Sequence, residues 1–265
     1  MFIFETRPRN GRWNLIGTWA LYRREVLRFF KIAAQTFVAP IITALLFLAI
    51  FNLAFSGQGR SVDSIPFIQF LVPGLTLMAV MTASFANASF SLMFEKMVET
   101  IVDTLMPPLS PSELTAGYVL ASTTRGLLVG FAVLIGMLVF TTVKIHSYPF
   151  VLFYAIAAAM LMSVLGLITA IWAEKIDHVA SINNFIILPL TFLSGTFYST
   201  QHLPQIFQNI AHFNPIFYVI DGFRYGFLGV HDGHLATGIV LLTSLIIFFW
   251  FICIQLFASG YKLKS

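Results

Sequence analysis

Asp221 and Arg224 stand three residues apart inside an otherwise apolar stretch, a spacing that puts a carboxylate and a guanidinium on one face of a helix. They could form a structural ion pair, or a gate or substrate contact. A second charged group, Glu95, Lys96, Glu99 and Asp103, lies opposite an apolar face of Met97, Val98, Ile101, Val102 and Leu105. A third, Glu174, Lys175, Asp177 and His178, fills a short gap between two apolar runs. Charges in such places suit contacts with another protein. Arg125 sits near one end of an apolar run, where it either snorkels or has a function. Ser84 and Asn87, with Thr82, Ser89 and Ser91, serve either close helix packing or the polar face of a pathway. His231, Asp232, Gly233 and His234 hold two imidazoles in one loop without a clear third ligand, so we expect no metal site.

Several chemistries are missing. The chain has no G-x-x-x-x-G-K-[ST] motif and no Gly-Lys pair, so it cannot build a phosphate-binding loop for ATP. It has no H-E-x-x-H and no paired cysteines, and its one cysteine, Cys253, lies in an apolar run. A membrane-embedded lipid-modifying enzyme would need acids or metal ligands converging at one depth, and the apolar runs lack carboxylates.

The elements that position these residues are membrane helices. Of 265 residues 58% are hydrophobic and 10% charged, against roughly 25% charged in soluble domains. We expect an all-α integral membrane fold with six spans at about 32–55, 66–94, 114–143, 150–173, 179–198 and 235–258. Residues 1–31 form an N-terminal segment holding seven of the fifteen basic residues: Arg7, Arg9, Arg12, Arg23, Arg24, Arg28 and Lys31. From Trp13 its pattern is amphipathic, with Leu15, Ile16, Trp19, Ala20, Val26, Leu27 and Phe30 on one side, and predicts an interfacial helix. Residues 32–265 form the transmembrane domain. Glu95 to Leu105 reads as one amphipathic helix, broken by Pro107, Pro108 and Pro111.

Phe185 to Gly229 begins as a span and then changes character. Pro189 predicts a kink, and Ser194-Gly195 a place where the helix opens. Two short amphipathic pieces follow, one opening near Leu203-Pro204 and one at Asn214-Pro215, each too short to cross the bilayer. We expect re-entrant or interfacial helices forming the lid of a polar route.

Pro189, Phe192-Leu193-Ser194-Gly195, Leu203-Pro204, Asn214-Pro215, Asp221 and Arg224 resemble the signature of ABC-2 type permeases, and the likeness in hydropathy and spacing extends over nearly the whole chain. Pro108-Leu109-Ser110 resembles the turn that closes the family's coupling helix. The likeness is nearest to the drug-export and lipo-oligosaccharide branch. It implies an export permease that works as a dimer, a homodimer or a pair with a paralogue, with two copies of a separate ABC ATPase that carries the ATP and Mg²⁺. It gives Glu95, Lys96, Glu99 and Asp103, with Glu174, Lys175 and Asp177, the role of ATPase contacts. Pro189, Ser194, Gly195, Pro204, Pro215, Asp221 and Arg224 become an outer gate, and Ser84, Asn87 and Phe192 candidate pathway residues. Phe185, Phe192, Phe197, Phe213, Phe217 and Phe223 point to an amphipathic substrate such as a drug, lipid or glycolipid. The alternatives are a lipid-modifying enzyme and a passive channel, which would conduct without nucleotide.

Lys and Arg set the orientation. The N-terminus, the loops after spans two and four and the C-terminus hold eleven, the opposite segments three (Arg60, Lys144, Arg224). That predicts both termini in the cytoplasm, and the resemblance implies a multi-pass inner-membrane protein. Basic residues spent on topology leave no nucleic-acid surface.

Overall fold

The structure, a computed structural model, describes residues 13–55, 61–62, 65–200 and 204–263. Arg7, Arg9 and Arg12, the Gly57 to Arg60 loop, Gln201 to Leu203 and Lys264 lie outside the described residues. The fold is eleven α-helices among the described residues and one short ribbon, Ser61–Val62 against Ile65–Pro66. Six helical segments are long and apolar enough to cross a membrane: Ala34–Ala54, Phe67–Met97, Pro111–Leu138, Tyr148–Trp172, Ile176–Leu193 and Leu235–Ser259.

Helix α1, Leu15–Lys31, precedes the first span. Asn14 caps it, its Oδ1 accepting from the Gly17 N–H at 3.0 Å. Its faces differ from the expected split. Leu21, Glu25 and Phe29 turn into the protein, while Leu15, Ile16, Trp19, Leu27 and Phe30 stay exposed. The apolar side read from the sequence therefore faces outward, as a helix lying in a membrane interface requires.

The first span is a π segment, Ala34–Val38, continued by α2, Ala39–Phe55. The fifth repeats the arrangement: α7, Ile176–Ile182, a π segment, Asn183–Ile187, and α8, Leu188–Leu193. Pro40 and Pro189 each follow a π segment by two residues. Proline has no N–H to give the preceding turn and crowds its carbonyl, and a wider turn accommodates both. The irregularity expected at Pro189 is thus a π segment.

Helix α3, Phe67–Met97, is the central column. Its 31 residues run about 46 Å, well beyond a hydrocarbon core of about 30 Å. In its most apolar window 72% of residues are buried, against 11% in the first and last spans. It packs on α5, Pro111–Leu138, and α6, Tyr148–Trp172. Between α3 and α5 the backbones come close: a Cβ on Gly126 would overlap Ser84 Oγ and meet Val80 O at 2.8 Å.

Three expected elements differ. The single amphipathic helix from Glu95 to Leu105 is broken: α3 ends at Met97, a turn follows, and α4 is only Ile101–Leu105. Glu99 occupies the turn at φ +60, a left-handed conformation no α-helix contains. The third span ends at Leu138, so residues 139–143 lie beyond the helix. The fifth ends at Leu193 because Gly195 turns left-handed at φ +78.

Helices α9, Gln205–Phe213, and α10, Pro215–Leu228, occupy the expected places. Asn214 caps α10, its Oδ1 accepting from the Ile216 N–H at 3.1 Å. At about 13 and 21 Å neither crosses a bilayer. They differ in burial. On α9, Ile206, Phe207, Ile210 and Phe213 are exposed, whereas ten residues of α10 are buried, chiefly against α6, α3 and α11, Leu235–Ser259.

Candidate functional site

The largest cluster of buried charge ties α1 to the ends of α3, α4 and α5. Glu25 is almost fully buried, and its carboxylate accepts from Arg24 Nη2 (3.1 Å), Arg28 Nη2 (3.0 Å) and the Ser91 hydroxyl. Glu95, in the last turn of α3, accepts from Arg24 Nη2, the Thr104 hydroxyl (2.9 Å) and the Tyr118 hydroxyl (2.7 Å). Arg24 also donates to Thr104 Oγ1 at 2.9 Å. One carboxylate thus joins four helices, and each charge has an opposite partner, which burial demands. Partial burial opposes the charge on Arg24, but Glu95, Tyr118 and Glu25 together outweigh it and hold the guanidinium pKa above its usual value. Asn87 extends the cluster: its Nδ2 donates to Ser122 Oγ at 2.9 Å, and its Oδ1 accepts from Arg125 at 3.1 Å and Arg28 at 3.4 Å.

Glu113 fastens the start of α1. It forms a capping box with Ser110, its Oε2 accepting from the Ser110 N–H at 2.7 Å, and its other oxygen accepts from the Asn14 N–H. Pro108-Leu109-Ser110 therefore ends in the N-cap of α5.

Lys96 turns the other way. Its ammonium donates to the carbonyls of Ala170 (3.0 Å), Ile171 (3.0 Å) and Ala173 (2.6 Å), closing the C-terminal end of α6. Beyond that end Glu174 pairs with Lys262 at 2.6 Å. The hydrogen bond and charge of Lys262 hold the Glu174 carboxyl below the usual range, and Glu174 raises the Lys262 ammonium. Lys175 and Asp177 are exposed at the start of α7.

The seven residues expected to contact an ATPase thus divide. Glu95 and Lys96 are bonded inside the chain. Glu99, Asp103, Lys175 and Asp177 are exposed, and Glu174 is exposed but paired. Beside Glu99 and Asp103 lie the exposed apolar side chains Met97, Val98, Val102 and Met106, while Ile101 is buried beneath. The expected apolar face of Met97, Val98, Ile101, Val102 and Leu105 is therefore two faces, because the break at Glu99 re-aims the chain.

At the opposite end of the bundle a polar knot closes the fifth span. Ser194 Oγ donates to Leu190 O, and Asn214 Nδ2 donates to Leu190 O (2.8 Å) and Ser194 Oγ (2.7 Å). Arg224 donates to the Gly195 carbonyl, its guanidinium 3.9 Å from the centre of the Phe70 ring. Asp221 accepts from the N–H groups of Asp232 (2.6 Å) and Gly233 (3.0 Å), and the Asp232 carboxylate in turn accepts from the Ser199 and Thr200 hydroxyls at 2.9 Å. Asp221 and Arg224 do not form the expected ion pair, since each is spent on backbone from a different loop. Ser194 and Gly195 join this knot, with Pro215 opening α10 beside it. Pro204 lies exposed before α9, and Pro189 within the fifth span.

Ser84 and Asn87 are buried between α3 and α5. Phe192 is partly exposed in a different neighbourhood, with Phe197, which also meets Phe47 and Phe51. Sequence reasoning missed Glu25, Thr104 and Tyr118; it named Asn214 only as a helix start and signature residue, and Asp232 only as part of a loop. Glu25 carried a signal: a carboxylate on the Leu21–Phe29 line of an otherwise basic helix.

The family model for the ABC-2 type transporter matches residues 17–228, from α1 through the end of α10. The chain belongs to the ABC-2 type transporter family. The match takes in the cluster around Glu25 and Glu95, the polar knot except Asp232 and Gly233, and five of the six spans of this ABC-2 permease chain. It is 37% identical over 246 residues to inner membrane transport permease YadH of Escherichia coli strain K12, covering 93% of this chain and 96% of that one. It is 27% identical over 254 residues to nodulation protein J of Sinorhizobium fredii, covering 92% of each. Nodulation protein J of Rhizobium meliloti is 26% identical, over 91% of this chain and 92% of that one.

Proposed function

We propose that this chain is the permease subunit of an ATP-driven exporter in the inner membrane, with the α1 end of the bundle in the cytoplasm. Two copies face each other, and two separate ABC ATPase subunits, which hold the ATP and Mg²⁺, seat on that end. The observation that carries the reading is the rim at α4. Met97, Val98, Val102 and Met106 are exposed beside Glu99 and Asp103, while the residues between them, Ile101 and Thr104, are anchored to the bundle. An apolar patch ringed by acids, held by a buried carboxylate, is a surface a partner can push on. Lys175 and Asp177 in the loop after α6 offer a second contact.

A push on α4 reaches α1 through Thr104, Glu95 and Arg24, and α5 through Tyr118. These bonds convert a small displacement at the rim into a tilt of the helices they join. The relatives named transport permeases support the transport assignment, and the count of Lys and Arg supports the orientation. The low burial of the first and last spans supports a second copy, which would cover part of that surface. Phe192, Phe197, Phe47 and Phe51 form an aromatic wall suited to an amphipathic substrate such as a drug, lipid or glycolipid.

The test is ATP-dependent accumulation in inverted vesicles holding this chain and its ATPase, run against drug, lipid and glycolipid candidates. Asp103→Lys and Glu99→Lys are expected to abolish accumulation while the chain inserts and melts normally. Unchanged transport in both variants would remove the α4 rim from the coupling role.

A further inference from the structure

Between α1 and the last turns of α3 lies a cleft of about 370 Å³, a volume within the range of ligand sites. Glu25 and Glu95 form its buried floor, Arg24, Arg28 and Lys31 its walls, and the exposed side chains of Leu27 and Phe94 its rim. Both carboxylates are already engaged, by Arg24 and Arg28 and by the hydroxyls of Ser91, Thr104 and Tyr118. Lys31 has no ion-pair partner among the described residues.

A fourth cation lies behind the wall. Arg125 and Arg28 converge on the same Asn87 oxygen, at 3.1 and 3.4 Å. Among the described residues no carboxylate lies within ion-pair distance of Arg125, and its buried Nε–H has no acceptor. Two guanidiniums sharing one neutral oxygen repel each other, and an uncompensated arginine within a span is expensive. Three cations thus line a cleft with two carboxylates and an apolar rim, and the fourth adds its charge from behind.

We propose that this cleft binds the phosphate headgroup of an anionic phospholipid from the leaflet on the α1 side. The phosphate lies against Arg28 and Lys31, drawn by the field of Arg125, and the acyl chains run over Leu27 and Phe94. Guanidinium groups match phosphate oxygens in geometry and charge, and basic clefts between membrane helices suit anionic headgroups. A free phosphate would leave the apolar rim without a role. The inference needs only that the chain spans a membrane, and it stands whether or not an ATPase docks at α4.

The full chain, purified in mild detergent and stripped of lipid, is titrated with phosphatidylglycerol, phosphatidylcholine and soluble glycerol phosphate. Bound lipid is read by native mass spectrometry and the melting temperature alongside it. Phosphatidylglycerol should bind and raise the melting temperature, phosphatidylcholine should not, and glycerol phosphate should bind far more weakly than the lipid. Arg125→Gln should weaken phosphatidylglycerol binding about tenfold, and Lys31→Gln about fivefold. Arg23→Gln, on an exposed α1 residue outside the cleft, should leave it unchanged. Lys31 is exposed, so its variant carries the test even if Arg125→Gln fails to fold. Equal binding of phosphatidylcholine, full binding by Lys31→Gln, or an equal loss in Arg23→Gln would overturn the site. Glycerol phosphate binding as tightly as the lipid would replace the lipid by a soluble anion.

Discussion

Glu25 holds three partners from a nearly solvent-free position, which makes it the residue whose neutralisation should be felt most at the α1 end. Glu25→Gln leaves Arg24 and Arg28 without that charge. Both guanidiniums are partly exposed and can regain water, so the loss falls below that of a fully buried pair. We expect about 2–3 kcal/mol of destabilisation, read as a lower melting temperature in detergent. Glu174 and Lys262 are the contrast, an exposed pair. The folded Glu174 pKa is lowered, so its contribution is present above the unfolded value and disappears as pH falls through the folded one. The folded Lys262 pKa is raised, so its contribution is complete below the unfolded value and disappears as pH rises through the folded one. The pair's contribution is therefore flat across neutral pH and small. The melting temperature of Lys262→Met should differ little from the parent and run parallel to it through that window. At this scale the sequence was least legible. Asp221 and Arg224 had helical pair spacing, yet Arg224 reaches Gly195 and Asp221 reaches Asp232, partners set by how two distant loops close over α10. Nothing in local spacing encodes that.

At the scale of elements, hydropathy and punctuation made most of the chain legible. The six spans, the start of α10 at Asn214-Pro215 and the short helices before the last span follow from apolar run length and proline positions. The break of the helix after Glu95 did not. A left-handed residue usually announces itself as glycine, and here it is Glu99, held by the bonds that Glu95 and Thr104 make on either side. Likewise α1 was read as two-sided, because a third face of Leu21, Glu25 and Phe29 is defined only by what packs on it. Gly195 is a turn that only glycine suits: its φ is +78, and a Cβ would meet Tyr198 O at 3.1 Å. Gly195→Ala should destabilise by about 1–2 kcal/mol and disturb the carbonyl Arg224 uses. Thermal melting checks the first effect. For the second, the Arg224→Lys loss should shrink in the Gly195→Ala background, since the two changes damage one contact.

For the whole molecule, the two polar clusters cap opposite ends of a bundle whose central column, α3, is long enough to touch both. The α1 end carries the exposed rim at α4 and the buried bonds that join it to three other helices. The opposite end carries the polar knot, closed by backbone and hydroxyl contacts with no ion pair among the described residues. In the proposed reading, the partner ATPase that drives movement seats on that rim. The direct measurement is purification of the chain in mild detergent from its native membrane, beside a Val102→Glu variant, with ATP hydrolysis assayed in each eluate. We predict that an ABC ATPase accompanies the parent chain and hydrolyses ATP, and that it is lost from the Val102→Glu variant, which still inserts and folds. A parent chain that comes away without an ATPase, or a variant that keeps it in full, would contradict the account.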